Sequence, residues 1–270
     1  MKKFFIILLS LVLCPLSLVG CGNQDDDKIK VGTIKYLNVT EEAFDKFYPD
    51  SDSKHIFYND LSNMTMALQA GRIDEMSIYE SVANYFVDHN PKFEVIEPAA
   101  EMTDLFCCAM RDKDVELKNE FDAAISQMTN DGTLSRLVKR YIAEVHFNET
   151  PPVIRMPEFY NDSMIKIGVT GDLPMLDYIR PDGLPAGFNT AVLAEISQRI
   201  NKNFVLVQVE SGERAIALNS GEVDVIFWAV VPDEESLIPD DFDKPEGMTF
   251  TRPYFSDTIV HVKLKNEVTR

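Results

Sequence analysis

One pattern occurs twice in this chain, and that repetition limits the folds open to it. Ile29-Lys30-Val31-Gly32-Thr33 opens the first copy and Ile165-Lys166-Ile167-Gly168-Val169 the second, each a short apolar strand. A helical pattern follows in both. Thr40 to Phe47 has a capping residue and acids in its first turn, and Asn189 to Ile200 carries Val192, Leu193, Ile196 and Ile200 on one face. Then come the strands His55–Tyr58 and Phe204–Val209, and after them the closest echo. Met66-Ala67-Leu68-Gln69-Ala70-Gly71-Arg72-Ile73-Asp74 is answered by Ile216-Ala217-Leu218-Asn219-Ser220-Gly221-Glu222-Val223-Asp224. Each reads as a helix stopped by a C-terminal glycine and followed by a new strand. Alternating strands and helices predict an α/β protein with mainly parallel sheets. Between the copies, Phe147 to Ser163 holds Pro151, Pro152 and Pro157 without periodicity, the mark of an extended connector.

The N-terminus has a different character. Met1-Lys2-Lys3 is cationic, Phe4 to Gly20 is uncharged and apolar, and Leu18-Val19-Gly20-Cys21 precedes Gly22, Asn23, Gln24 and three aspartates. This is the layout of a secretory signal peptide, and its end resembles a bacterial lipobox in which Cys21 becomes the lipid-bearing first residue. An uncleaved membrane anchor is the alternative, but Pro15 interrupts a run that barely reaches the ~17 residues needed to span. Cleavage before Cys21 removes Lys2 and Lys3 from 26 basic residues, leaving 24 against 44 acidic ones, a balance of −20. Such a surface repels phosphate backbones and argues against nucleic acid as a partner. Cys107 and Cys108 are neighbours, and adjacent strand residues point to opposite faces, so two packed thiols are expected rather than a bridge.

Several segments resemble extracellular solute-binding proteins of the polar amino-acid type (family 3, periplasmic-binding-protein-like II). Asp182-Gly183-Leu184-Pro185-Ala186-Gly187-Phe188-Asn189 is similar to that family's D-G-x-x-x-G-F stretch. Leu218 to Ile226 resembles its L-x-S-G-x-x-D segment, and Thr249 to Phe255 its F-S-x-P-Y-F stretch. All three belong to the family's first lobe. Ala67 to Asp74, Lys113 to Leu117, and Asn130-Asp131-Gly132-Thr133-Leu134 with Leu137, Arg140 and Tyr141 resemble its second lobe and tail. The resemblance implies a two-lobed type II fold, each lobe a mixed, mainly parallel sheet flanked by helices, with Gly71 and Gly221 in opposing jaws. It divides the chain into signal peptide 1–20, tether 21–28, second-lobe-like domain 29–146, connector 147–163 and first-lobe-like domain 164–270. The lobes come in swapped order, which implies a circular permutation; two ancestral copies, each keeping one lobe, is the alternative.

In that family the ligand lies between the lobes, with an Arg on its carboxylate and an acid on its ammonium. By count, Ser236 stands where the Arg would be, Asp233 where a Thr would be, and Tyr79 at the acid's place, with Glu80 beside it. Leu173 and Leu176 replace common ring-bearing residues. The resemblance therefore points to Tyr36, Asn38, Tyr79, Glu80, Asp172, Leu173, Tyr178, Trp228 and Ala229 as ligand-binding candidates, with Cys21 as the lipidation site. Trp228, the only tryptophan, fits either the cleft or the core, and Asn38 with Thr40 fits helix capping as well as ligand contact. The acids of Leu237 to Gly247 are expected to face water, and no metal or cofactor is expected.

The function implied is delivery of a small polar solute to a membrane importer permease by a monomeric, lipid-anchored extracytoplasmic protein. An enzyme on the same fold is a second class. No nucleophile–base spacing appears, and His55, His89, His146 and His261 are scattered, each expected at a surface or edge. A ligand-free lipoprotein for protein interaction or sensing is a third class, favoured over an enzyme by the missing charges.

Overall fold

A computed structural model describes residues 28–47, 52–97, 102–145, 150–161, 163–232, 238–239 and 241–265. The signal peptide 1–20, Cys21, Asp233, Ser236 and His146 lie outside the described residues.

The two copies fold alike. In the first, β1 (Ile29–Ile34) leads to α1 (Glu41–Phe47), β2 (Ser53–Tyr58), α2 (Leu61–Gln69), β3 (Glu75–Tyr79), α3 (Glu80–His89) and β4 (Phe93–Ile96). The long strand β5 (Met102–Arg111) then runs into α4 (Val115–Asn130), α5 (Thr133–Val138) and a π-helical turn, Lys139–Ala143. In the second copy come β6 (Met164–Val169), the small strands β7 (Asp172–Leu173), β8 (Asp177–Ile179) and β9 (Pro185–Ala186), then α6 (Phe188–Ile200) and β10 (Asn203–Gln208). A 3₁₀ turn, Ser211–Glu213, precedes α7 (Arg214–Ser220), β11 (Val225–Pro232), β12 (Met248–Phe250) and the long β13 (Phe255–Leu264).

Shared chemistry underlies the echo. Gly71 and Gly221 both take left-handed φ, 66° and 78°, which turns the chain out of α2 and α7 at little steric cost. Asp74 Oδ2 accepts from Lys30 N at 2.8 Å, and Asp224 Oδ2 accepts from Lys166 N at 3.0 Å. Each aspartate so pins the turn before the third strand to the start of the first. The glycine inside each opening strand is a matter of close approach: a Cβ at Gly32 would lie 2.5 Å from Ile73, and one at Gly168 3.3 Å from Val223.

Among the described residues, ten strands form one sheet. Its path runs β10-β6-β11-β5-β13-β3-β1-β2, with β12 on β5 and β4 on β13. The three strands at each end are parallel, as expected for each lobe. Through the middle, β5 and β13 are antiparallel to each other and to their outer neighbours, joining the two parallel sets into one continuous surface. Gly71 and Gly221 sit in turns outside it and feed strands on opposite sides of that centre. Because β5 crosses over, α4 and α5 pack on α6 of the second copy, and the end of β13 returns to β3 and β4 of the first. The described connector, 150–161, is extended and lies along β9 through Val153 and Ile154.

Most buried apolar side chains belong to one cluster shared by both copies, and a smaller one lies around Leu218, Val223 and Ile226. Cys108 is in the first and Cys107 in the second, both free and buried, so strand alternation separates the two thiols as expected. His55 lies on β2, the edge strand of the sheet, yet its side chain is buried, its ring 2.8 Å from Asp45 Oδ1 and edge-on to Phe44, because α1 folds down over β2.

Candidate functional site

The halves meet at a crevice beside the long central strands. A cavity of about 30 Å³ there is lined by Thr33, Ile34, Tyr36, Ser77, Ile78, Tyr79, Val82 and Ile259 together with Leu173 and Trp228. One water needs about 10–15 Å³, so this space suits water-sized occupants. Leu173, Trp228 and Ile259 come from the second copy, so the cavity is a joint product of both.

Trp228 reaches the cavity through a backbone irregularity. The register of β11 on β5 shifts between Phe227 and Ala229, and Trp228 has φ 77°. A bulge of this kind re-aims a side chain, and so bulky a residue with left-handed φ is strained. The indole meets Tyr79 edge-on at 5.8 Å, and its Nε1 has no hydrogen-bond partner; the buried Thr33 hydroxyl, on the same cavity, also has none. Trp228 thus serves both core and crevice.

Tyr79 supplies a phenol where the family resemblance implied an acid, and the acid lies one bond further on. The Tyr79 hydroxyl donates to Asp104 Oδ2 at 2.8 Å. Burial pushes the Asp104 carboxyl up to about 7, against the pull of that hydrogen bond. Directly across the ladder, Asp257 pairs in register with Asp104 and accepts from Ser81 Oγ at 2.5 Å. Burial also raises its carboxyl, to about 6.

Arg214, which the sequence analysis did not single out, crosses the crevice. Only 2 % exposed, it donates to Ser211 O at 3.1 Å, Trp228 O at 2.5 Å and Lys35 O at 2.8 Å, and lies 4.7 Å over the Trp228 ring. Burial lowers the guanidinium's pKa, and the Asp243 charge opposes that shift. A cation in the first turn of a helix works against the helix dipole, and this was the available signal.

Asp243 corrects an expectation. The acids of Leu237 to Gly247 were expected in water, and Asp241 is exposed, but Asp243 is 2 % exposed. Its Oδ1 accepts from Asn38 N at 2.8 Å and Val39 N at 3.2 Å, and its Oδ2 from Leu37 N at 3.0 Å. Three amides otherwise lacking acceptors make burial of this carboxylate tolerable. Asp104 and Asp243 share a second, smaller cavity of about 10 Å³ with Tyr36 and Phe44.

The remaining candidates divide. Tyr36 lines both cavities and stacks on Phe44 at 5.5 Å. The Asn38 side chain is exposed, and its part in the crevice is its backbone N–H; Thr40 Oγ1 caps α1 by accepting from Ala43 N at 3.2 Å. Asp172 crosses between halves, its Oδ2 accepting from Leu61 N at 2.8 Å, and with Tyr178 it lines an open outer groove rather than the inner cavity. Glu80 begins α3 on the exposed side, outside the cavity. Ala229 faces away from the crevice into the smaller core cluster: the bulge puts Trp228 on the same face as Phe227, and ordinary alternation then turns Ala229 to the other. Among the described residues no cluster of His, Cys, Asp and Glu is placed to hold a metal ion.

Residues 165–269 match the family model of bacterial extracellular solute-binding proteins, family 3. That stretch contributes Leu173, Arg214, Trp228 and Asp243. No curated protein matches the chain. Among solved structures, the ligand-binding component of an ABC-type import system from Staphylococcus aureus with zinc bound is similar at 10% identity and TM-score 0.43, over 88% of this chain and 66% of that one. A putative L-cystine ABC transporter from Listeria monocytogenes is similar at 13% identity and TM-score 0.40, over 90% and 84%. An ABC transporter / periplasmic binding protein from Brucella ovis with glutathione bound is similar at 12% identity and TM-score 0.43, over 89% and 63%.

Proposed function

We propose that this chain is an extracytoplasmic solute-binding protein, held at a membrane by lipid on Cys21, that hands a small polar solute to an importer permease. The observation that carries the reading is the family match over 165–269, taken with the crevice that this stretch builds against the other half. On this reading Tyr36, Tyr79, Leu173 and Trp228 face the solute, and the unpartnered Trp228 Nε1 and Thr33 Oγ1 supply polarity. The swapped lobe order is a circular permutation, a rearrangement that proteins tolerate because chain ends in general often lie close together at domain surfaces. A solute larger than water enters only when the halves part, as in hinge closure around a ligand. On this reading the protein works as a monomer and releases its solute unchanged.

Melting curves of the mature chain with free amino acids, short peptides and organic acids, and with neutral and cationic solutes that lack a carboxylate (sugars, amino-acid amides, polyamines), test this. A true solute raises the melting temperature by mass action, about 2.7 kcal/mol of stabilisation at a hundredfold excess over Kd, and changes the fluorescence of Trp228. A flat response across the panel sinks the reading. It would favour a sensing or interaction lipoprotein, an alternative supported by the small cavity and by a crevice already bridged by Asp172, Arg214 and Asp243.

A further inference from the structure

We propose that Asp243 determines specificity by occupying the crevice's anion seat with the chain's own carboxylate, so that small carboxylate ligands are refused while it is there. The inference rests on reading the crevice as a solute site. Leu37, Asn38 and Val39 present three successive backbone N–H groups, a concavity of the kind that holds anions. The Asp243 carboxylate takes all three, from 204 to 206 residues away in sequence.

Three further observations make this a built seat. Phe242, the residue before, packs its ring edge-on to Phe47 at 4.5 Å and lies 6.2 Å from Phe44, so the aspartate is delivered by an aromatic anchor on α1. Arg214 lies buried nearby without a carboxylate hydrogen bond of its own, and its charge attracts Asp243. The adjoining cavity holds the unpartnered Trp228 Nε1 and Thr33 Oγ1, on side chains 4 % and 6 % exposed, two polar atoms that the enclosed chain leaves unsatisfied. Burial pushes the Asp243 carboxyl up to about 6, so it is mainly ionised at neutral pH and acts as an anion.

The seat resembles that of a carboxylate ligand in charge, in donor number and in position between the halves. A free carboxylate must therefore displace a tethered competitor at very high effective concentration. A neutral or cationic solute in the adjoining cavity meets no such competition, and the retained Asp243 charge favours it.

Formate tests the seat, because Asp243→Ala removes a carboxylate group and formate restores one. In the full mature chain, Asp243→Ala is expected to gain about 3 °C or more in melting temperature on saturable addition of formate at constant ionic strength. The unaltered chain is expected to gain less than about 1 °C. Equal responses overturn the proposal. Hydrogen exchange at Leu37, Asn38 and Val39 gives a second reading that does not need Asp243→Ala to fold. These amides are expected to exchange about tenfold or more faster in Asp243→Asn than in the unaltered chain. Exchange at free-loop rates in the unaltered chain also overturns it. Both readouts report the seat without a transported solute, so a failed solute screen sinks the proposed function and leaves this inference standing.

Discussion

Asp74 and Asp224 do the same job in opposite halves, whereas the segments that face each other across the crevice do opposite jobs. The first half offers backbone: the amides of Leu37, Asn38, Val39 and Leu61, and the carbonyl of Lys35. The second half offers side chains to them: Asp243, Asp172 and Arg214. Side chain meets side chain between the halves at Asn59 and Glu210, 3.0 Å apart, and at Ser81 and Asp257, 2.5 Å apart. The repeated part of the sequence builds a frame, and the unrepeated part decides what that frame closes upon. An exposed backbone amide is indifferent to sequence, so specificity is concentrated in the half that supplies charge.

The largest way to stress this division is pH. Burial pushes Asp104 up to about 7 and Asp177, Asp243 and Asp257 to about 6, while an unfolded aspartate titrates near 3.9. The folded chain then holds more protons than the unfolded one between about pH 4 and 7, so stability falls as pH rises through that window. We expect the chain to be more stable at pH 5 than at pH 8 by on the order of 5 kcal/mol. Three of the four acids are in the second half, and Asp104→Asn should flatten the slope throughout the window and remove most of what remains near pH 7, where the other three have already lost their protons. Urea melts across pH measure both, and a slope unchanged by Asp104→Asn would contradict the burial argument.

Next in size is Arg214→Ala, expected to cost about 3 kcal/mol because three carbonyls lose a charged donor and the Trp228 ring loses its cation. Arg214→Lys should recover only part, since one ammonium cannot reproduce the planar fork. A loss below about 0.5 kcal/mol would mean that Arg214 does not hold the halves together. The smallest effect tests the symmetric element. Asp74→Ala should cost about 1 kcal/mol and Asp224→Ala roughly 0.5 kcal/mol more, because Asp224 also receives Arg111 Nη2 at 3.1 Å. Identical losses would remove Arg111 from the account.

The frame was legible because its signals are local: strand and helix periods, two left-handed glycines, and an aspartate at a constant offset from each. Tyr36, Tyr79, Leu173 and Trp228, named from their places in that frame, line the crevice cavity. Ala229 lies outside that cavity, in the smaller core cluster: the bulge keeps Phe227 and Trp228 on one face and turns Ala229 to the other. Asp243 was misplaced because an acid among prolines and glycine has the local chemistry of a solvated loop. Periodicity and capping depend on neighbours a few residues apart, so the sequence by itself determined the repeated strand–helix units and their order. Burial of a charge depends on whatever donors the folded chain brings within 3 Å, and for Asp243 those lie over two hundred residues away. Only the tertiary structure decided that the second half would close the crevice with its own carboxylates and arginine.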